Sequence, residues 1–269
     1  MRKYLLLSVF AVPWVLVPIW LVVVNSAKPA GEAAELSLAL PREWALAENY
    51  AIVFERGGYL TGLANSLMIA VPVVLAVVLL GAAAAWAFGR SRSRWLQGAY
   101  FIMGLSVLIP PSIIPTVYLL RTLNLDGTTL GYLLTMVGCR MGIVVFLATG
   151  FVRALPRDLE DAAAIDGASQ GQVFARILLP LLRPVLFVGA VILIINVWND
   201  FFFALFLLHG SERATLPLSL FQFASGTLQS LNWNLVFAHV LLTTLPLVAV
   251  YVVAQKRVLA GLTEGAIKG

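Results

Sequence analysis

About six stretches of some 20 uninterrupted, mostly apolar residues run through this chain, each long enough to cross a hydrocarbon core as a helix. A segment in lipid has no water for its peptide groups, and a helix satisfies them internally. The stretches cover roughly Tyr4 to Val24, Leu63 to Phe88, Ala99 to Leu120, Thr129 to Val152, Val185 to Leu208 and Leu235 to Ala254. The expected fold class is therefore all-α, a polytopic membrane protein with six transmembrane helices. Composition agrees, since 61% of the 269 residues are hydrophobic and only 12% charged. A mean hydropathy of +0.94 excludes an ordinary soluble surface.

The first stretch invites a second reading, because Arg2 and Lys3 precede it and Asn25-Ser26-Ala27 resembles a signal cleavage site. The apolar region of a signal peptide is about 7–15 residues, shorter than this run, so a retained helix is expected. Lys and Arg set the orientation. With both termini cytoplasmic, the inner segments hold 12 of the 18: Arg2, Lys3, Arg90, Arg92, Arg94, Arg153, Arg157, Arg176, Arg183, Lys256, Arg257 and Lys268. The outer segments hold five, Lys28, Arg42, Arg56, Arg121 and Arg213, while Arg140 falls inside the fourth stretch. The basic pI is thus a matter of membrane topology, and no nucleic-acid partner is expected. Trp44, Tyr50, Tyr59, Trp95 and Trp233 fall near span ends, where amphipathic rings suit the interface. Cys139 is the one cysteine, which excludes an internal disulfide and a cysteine cluster for zinc. No metal site is expected.

Pro110, Pro111 and Pro115 remove backbone donors from the third stretch and predict a kink or interruption there, serving either as a gate or as a static packing feature. No internal repeat appears.

The inner loop, residues 154–184, is too polar for lipid and too patterned for a linker. Pro156 opens a short helix whose first turn holds Asp158, Glu160 and Asp161, favoured by the positive end of the helix dipole. Ala162, Ala163 and Ala164 follow, strong helix formers with little bulk. Gly167 is expected to break the run, and Ala168 and Ser169 to begin a second piece. Val173, Phe174, Ile177 and Leu178 give that piece an apolar face, and Pro180 and Pro184 are expected to end it before the fifth span. Periodicity alone equally suits an amphipathic helix on the membrane surface.

The run Glu160-Asp161-Ala162-Ala163-Ala164-Ile165-Asp166-Gly167-Ala168, continuing to Phe174, Ile177, Leu179-Pro180 and Pro184, resembles the EAA loop of ABC-importer permeases. Separated segments resemble the carbohydrate-uptake branch, the smaller six-helix permease of maltose-type importers. These are Glu48-Asn49-Tyr50, Asn65-Ser66, Ala85-Trp86-Ala87-Phe88-Gly89-Arg90, Trp198-Asn199-Asp200-Phe201, Thr215-Leu216-Pro217 and the tail from Gln255 to Gly269. The family's usual glutamate aligns here with Asp161, one methylene shorter.

The resemblance implies a type I importer permease fold forming a single transmembrane domain over residues 1–269, in a bacterial or archaeal inner membrane. It implies that the loop is a coupling helix docking into an ATPase, with Glu160, Asp161, Ala162, Ala163, Asp166, Gly167, Ala168 and Phe174 as the coupling residues. The implied partners are a second permease subunit, two copies of a cytoplasmic ATPase, an extracytoplasmic solute-binding protein and a sugar, besides membrane lipid. ATP and Mg would sit on the ATPase subunits, and this chain would hold no catalytic residue and no cofactor. No Walker-type loop occurs in the sequence.

Ionisable groups inside spans are candidate functional sites. Asp200 falls within the fifth stretch beside Trp198 and Asn199, and an aromatic face with an amide and a carboxylate suits a sugar. The alternative is that Asn199 and Asp200 tie helices together. Arg140 and His239 match no motif; Arg140 is a possible partner for Asp200, and His239 suits a hydrogen-bonded packing role. A rival reading, an ion-coupled secondary transporter, would use Asp200, Arg140 and His239 as a relay.

Overall fold

A computed structural model describes residues 2–109, 111–226 and 232–266, with side chains over 12–109, 111–226 and 232–255. Helices α1 (Arg2–Ser26), α2 (Ala30–Ala33), α3 (Leu46–Arg56), α4 (Tyr59–Arg90), α5 (Arg94–Leu108) and α6 (Ile113–Thr122) come first. They are followed by α7 (Thr129–Ala154), α8 (Asp158–Ile165), α9 (Gln170–Val173), a π-helical turn (Phe174–Leu178) and α10 (Leu179–Trp198). α11 (Phe202–Leu207), a 3₁₀ turn (Ser211–Arg213), α12 (Leu216–Gly226) and α13 (Trp233–Ala266) complete the chain. Among the described residues there is no strand.

Four helices are long and apolar enough to cross a membrane: Tyr59–Arg90, Thr129–Ala154, Gln170–Trp198 and Trp233–Gln255. The charges Arg2, Lys3, Lys256, Arg257 and Lys268, the tail motif after Gln255, and Pro110 lie outside the residues whose side chains are described. The third expected span is interrupted, as its prolines require. Ile109 ends α5 in an extended conformation (φ −93°, ψ 116°), which the residue before a proline favours. Pro115 falls in the first turn of α6, where its missing N–H would have had no helical partner.

The expectation that Pro180 and Pro184 terminate a helix is corrected. Both lie inside one continuous helix, Gln170–Trp198. The Leu179 N–H reaches back to the Phe174 carbonyl, an i→i−5 bond, so the ladder widens into the π turn just before Pro180 and continues.

The chain forms two compact units. In the unit Leu67–His209 with Val250–Gly269, α7 is the hub and packs against α5 and α10. α4 lies close to α7 at glycines: a Cβ on Gly81 would meet Val144, and one on Gly89 would meet Val152. Small residues allow such approach where lipid supplies no hydrophobic drive. In the unit Met1–Ser66 with Gly210–Ala249, Asn65 donates to the Glu212 and Ala214 carbonyls at 2.8 and 3.0 Å, and Ser66 Oγ accepts the Leu216 N–H at 2.9 Å. Tyr59 is buried and donates to the Leu242 carbonyl, so it is a packing residue of this unit and not an exposed interfacial ring.

Candidate coupling segment and intramembrane polar cluster

The inner loop folds as its residues suggest at the turn. After Asp166 the chain reverses at Gly167, whose φ of +78° disfavours any side chain. Gly167 N–H bonds the Ala164 carbonyl at 3.1 Å and Ala168 N–H the Ala163 carbonyl at 3.0 Å, the paired bonds of a Schellman closure. Ser169 then caps α9 in a reciprocal box, its N–H donating to Gln172 Oε1 at 2.8 Å.

One face of this segment is fastened to the end of α4. Glu160 Oε1 accepts from Arg90 Nε at 2.7 Å, and Oε2 accepts from the Trp86 indole at 2.9 Å. Arg90 Nη2 also donates to the Leu155 carbonyl at 3.0 Å, and Arg157 donates to the Arg90 carbonyl at 3.1 Å. Ala163, Val173 and Leu178 form a small core against Trp86, Leu155, Ala168, Phe174 and Ile177, with Phe174 stacked on Trp86 at 5.7 Å between ring centres. Glu160, Ala163, Ala168 and Phe174 thus turn inward. Asp161, Ala162, Asp166 and Gly167 remain exposed, together with Leu159 and an Ile165 that is 86% exposed. The fastening residues Trp86 and Arg90 have no motif of their own in the sequence; the available signal was a basic span end on the same side of the membrane as an acidic helix start.

The second site differs from expectation. Asp200 is not within a helix: α10 ends at Trp198, and α11 starts at Phe202. Asn and Asp ahead of an apolar run favour helix starts over helix interiors, and Asp200 Oδ2 accepts the Ala204 N–H at 3.2 Å. The same oxygen accepts from Tyr132 Oη at 2.8 Å, while Oδ1 faces Arg140 Nη2 at 3.5 Å. The pairing of Arg140 with Asp200 is present. An open pocket of about 380 Å³ is lined by Arg140, Ile195, Asn196, Asn199, Asp200, Phe201 and Phe202. Trp198 is buried and is not among these residues, so the aromatic wall comes from Phe201 and Phe202. Asn196 and Asn199 donate their amides to the Ile192 and Ile195 carbonyls at 2.8 and 2.9 Å. Their own carbonyl oxygens are thereby directed as acceptors, and the buried Arg140 Nε is a donor without a partner.

His239 in α13 is fully buried, with Nε2 at 3.1 Å from the Gly57 carbonyl and Nδ1 at 3.1 Å from Thr243 Oγ1. The Tyr59 ring meets it edge-on at 6.0 Å. Both ring nitrogens are engaged.

Residues 77–263 match the family described as binding-protein-dependent transport system inner membrane component, which covers both the coupling segment and the polar cluster. The chain belongs to this family. It is 28% identical over 256 residues to the diacetylchitobiose uptake system permease protein NgcG of Streptomyces coelicolor, covering 94% of this chain and 84% of that protein. It is 31% identical over 227 residues to the trehalose transport system permease protein SugB of Mycobacterium tuberculosis, covering 82% of each. To the melibiose/raffinose/stachyose import permease protein MelC of Bacillus subtilis it is 27% identical over 256 residues, covering 94% and 91%. A crystal structure of a bacterial ABC transporter involved in the import of the acidic polysaccharide alginate has the same fold, with a TM-score of 0.81 at 24% identity over 95% of this chain and 94% of that one. This family member is accordingly a membrane transport component.

Proposed function

We propose that this permease is one membrane subunit of an ATP-driven importer for a sugar or sugar-like solute, working by alternating access. The observation that carries the reading is the fastened helix–glycine–helix segment at 158–178 within the family match. A lever must be rigid where it joins the spans and free where it meets its motor. Glu160, Trp86, Arg90 and Phe174 supply the joint. Asp161, Ala162, Ile165 and Asp166 form the exposed surface for a cleft on a separate ATPase subunit, two copies of which would hold ATP and Mg.

The remaining partners are a second permease subunit and an extracytoplasmic solute-binding protein. Six spans, with α5 and α6 together as the interrupted third and α1 as the first, place both termini in the cytoplasm. The sugar assignment is supported by the transported solutes named for the relatives, and by a pocket that combines amide and carboxylate oxygens with Phe201 and Phe202. An ion-coupled carrier is disfavoured because His239 has both nitrogens engaged and Arg140 is paired with Asp200. The test is uptake of a radiolabelled sugar by the reconstituted assembly. Vanadate should abolish it and collapse of the proton and sodium gradients should not; the opposite pattern refutes the proposal.

A further inference from the structure

The Ser26 end of α1 carries a feature that the transport cycle does not use. Lys28 follows the helix and its side chain is fully buried. A buried ammonium is costly unless its protons find acceptors. Here Nζ donates to Asn25 Oδ1 at 3.1 Å and to the Ser37 carbonyl and Ser37 Oγ at 3.0 Å each, three acceptors for three protons. Asn25 donates to the same Ser37 carbonyl at 3.0 Å, Asn49 donates to the Ser26 and Lys28 carbonyls at 2.9 and 2.8 Å, and Ala45 N–H bonds the Ala27 carbonyl at 2.8 Å. Leu36, just before Ser37, is held at φ +50°, a conformation leucine rarely adopts. Residues 29–46 are clamped onto the end of α1 in one arrangement.

That clamp presents apolar side chains outward instead of covering them. Leu38, Leu40 and Trp44 are 46%, 61% and 68% exposed. They continue the exposed face of α1, which includes Trp14, Ile19 and Trp20, and the Trp20 indole donates to the Leu38 carbonyl at 3.0 Å. With α1 crossing the bilayer, its outward face meets acyl chains, and the surface continuous with it meets the next layer out. Indole and leucine side chains beside Arg42 and Glu43 suit the boundary between acyl chains and headgroups.

We propose that residues 29–46 are a preformed interfacial anchor, lying in the headgroup layer with Leu38, Leu40 and Trp44 dipped into the upper acyl region. The occupant of this patch is lipid, because the patch is one surface with the outward face of a membrane helix. The test places a spin label on Leu40→Cys, in a Cys139→Ser background, with the full chain in nanodiscs of phosphatidylethanolamine and phosphatidylglycerol. The ratio of collision with oxygen to collision with a water-soluble nickel chelate should be several-fold higher than for free label in buffer. A ratio equal to that of free label overturns the proposal. Protection from nickel that arises only when a solute-binding protein is added assigns the patch to protein docking and also overturns it. The same measurement on Trp44→Cys repeats the test if the first variant fails to fold.

Discussion

Removing the Glu160 carboxylate tests whether the coupling segment is held by α4. In Glu160→Ala, Arg90 keeps only the Leu155 carbonyl and the Trp86 indole loses its acceptor. The two charged side chains are 15% and 17% exposed. Their link therefore falls between exposed pairs, worth under about 1 kcal/mol, and buried pairs, whose disruption costs about 3–5 kcal/mol. A hydrogen bond to a charged group contributes about 1.5–3 kcal/mol, and partial rehydration of the freed groups returns some of that, so we expect a local cost of about 2 kcal/mol. At about 1.4 kcal/mol per factor of ten, the amides of α8 should lose roughly 30-fold of their protection from hydrogen exchange. The measurement is exchange mass spectrometry on the full chain in nanodiscs, comparing peptides from 158–165 with peptides from α7. Unchanged protection in α8, or equal loss across α7, refutes the latch. A double-mutant cycle with Arg90→Met should give a coupling above about 0.5 kcal/mol, and independent additive effects would separate the two residues.

Gly167→Ala adds a side chain with open space around it but at φ +78°, so it should loosen the turn by about 1 kcal/mol while insertion stays normal. Uptake should fall, and Gly167→Asn should recover part of it; full uptake with alanine would refute the need for this bend. Tyr132→Phe deprives the buried Asp200 of one donor and should lower stability by about 1–2 kcal/mol in thermal unfolding in detergent. An unchanged melting temperature would show that the hydroxyl contributes nothing. His239→Ala empties a fully buried, hydrogen-bonded site and should destabilise by about 2–3 kcal/mol. The pH profile of uptake should keep its shape, and a displaced profile would restore His239 as a proton carrier.

The long spans were legible because lipid imposes one solution on a 20-residue apolar run. Gly167 was legible for a similar reason: a helix stop followed by a capping serine is local chemistry. The Glu160 latch was not, since its partners lie about 70 residues away and only packing brings them together. Hydropathy carried the fifth span through Asn199 and Asp200, because two polar residues hardly alter an average over twenty. Their capping preference was the better guide, and the helix ends there. Pro180 misled in the other direction: the stop rule assumes that the ladder cannot rearrange, and here it widens before the ring.

That widened turn makes the length of residues 174–178 a matter of phase. Each helical residue turns the chain by about 100°, and an i→i−5 turn carries one residue more than a regular one. A one-residue deletion there would restore ordinary pitch yet swing everything after Leu179 by about 100°, taking Leu182, Leu186 and Leu193 off the buried side of α10. Substitutions in this turn should accordingly be milder than indels.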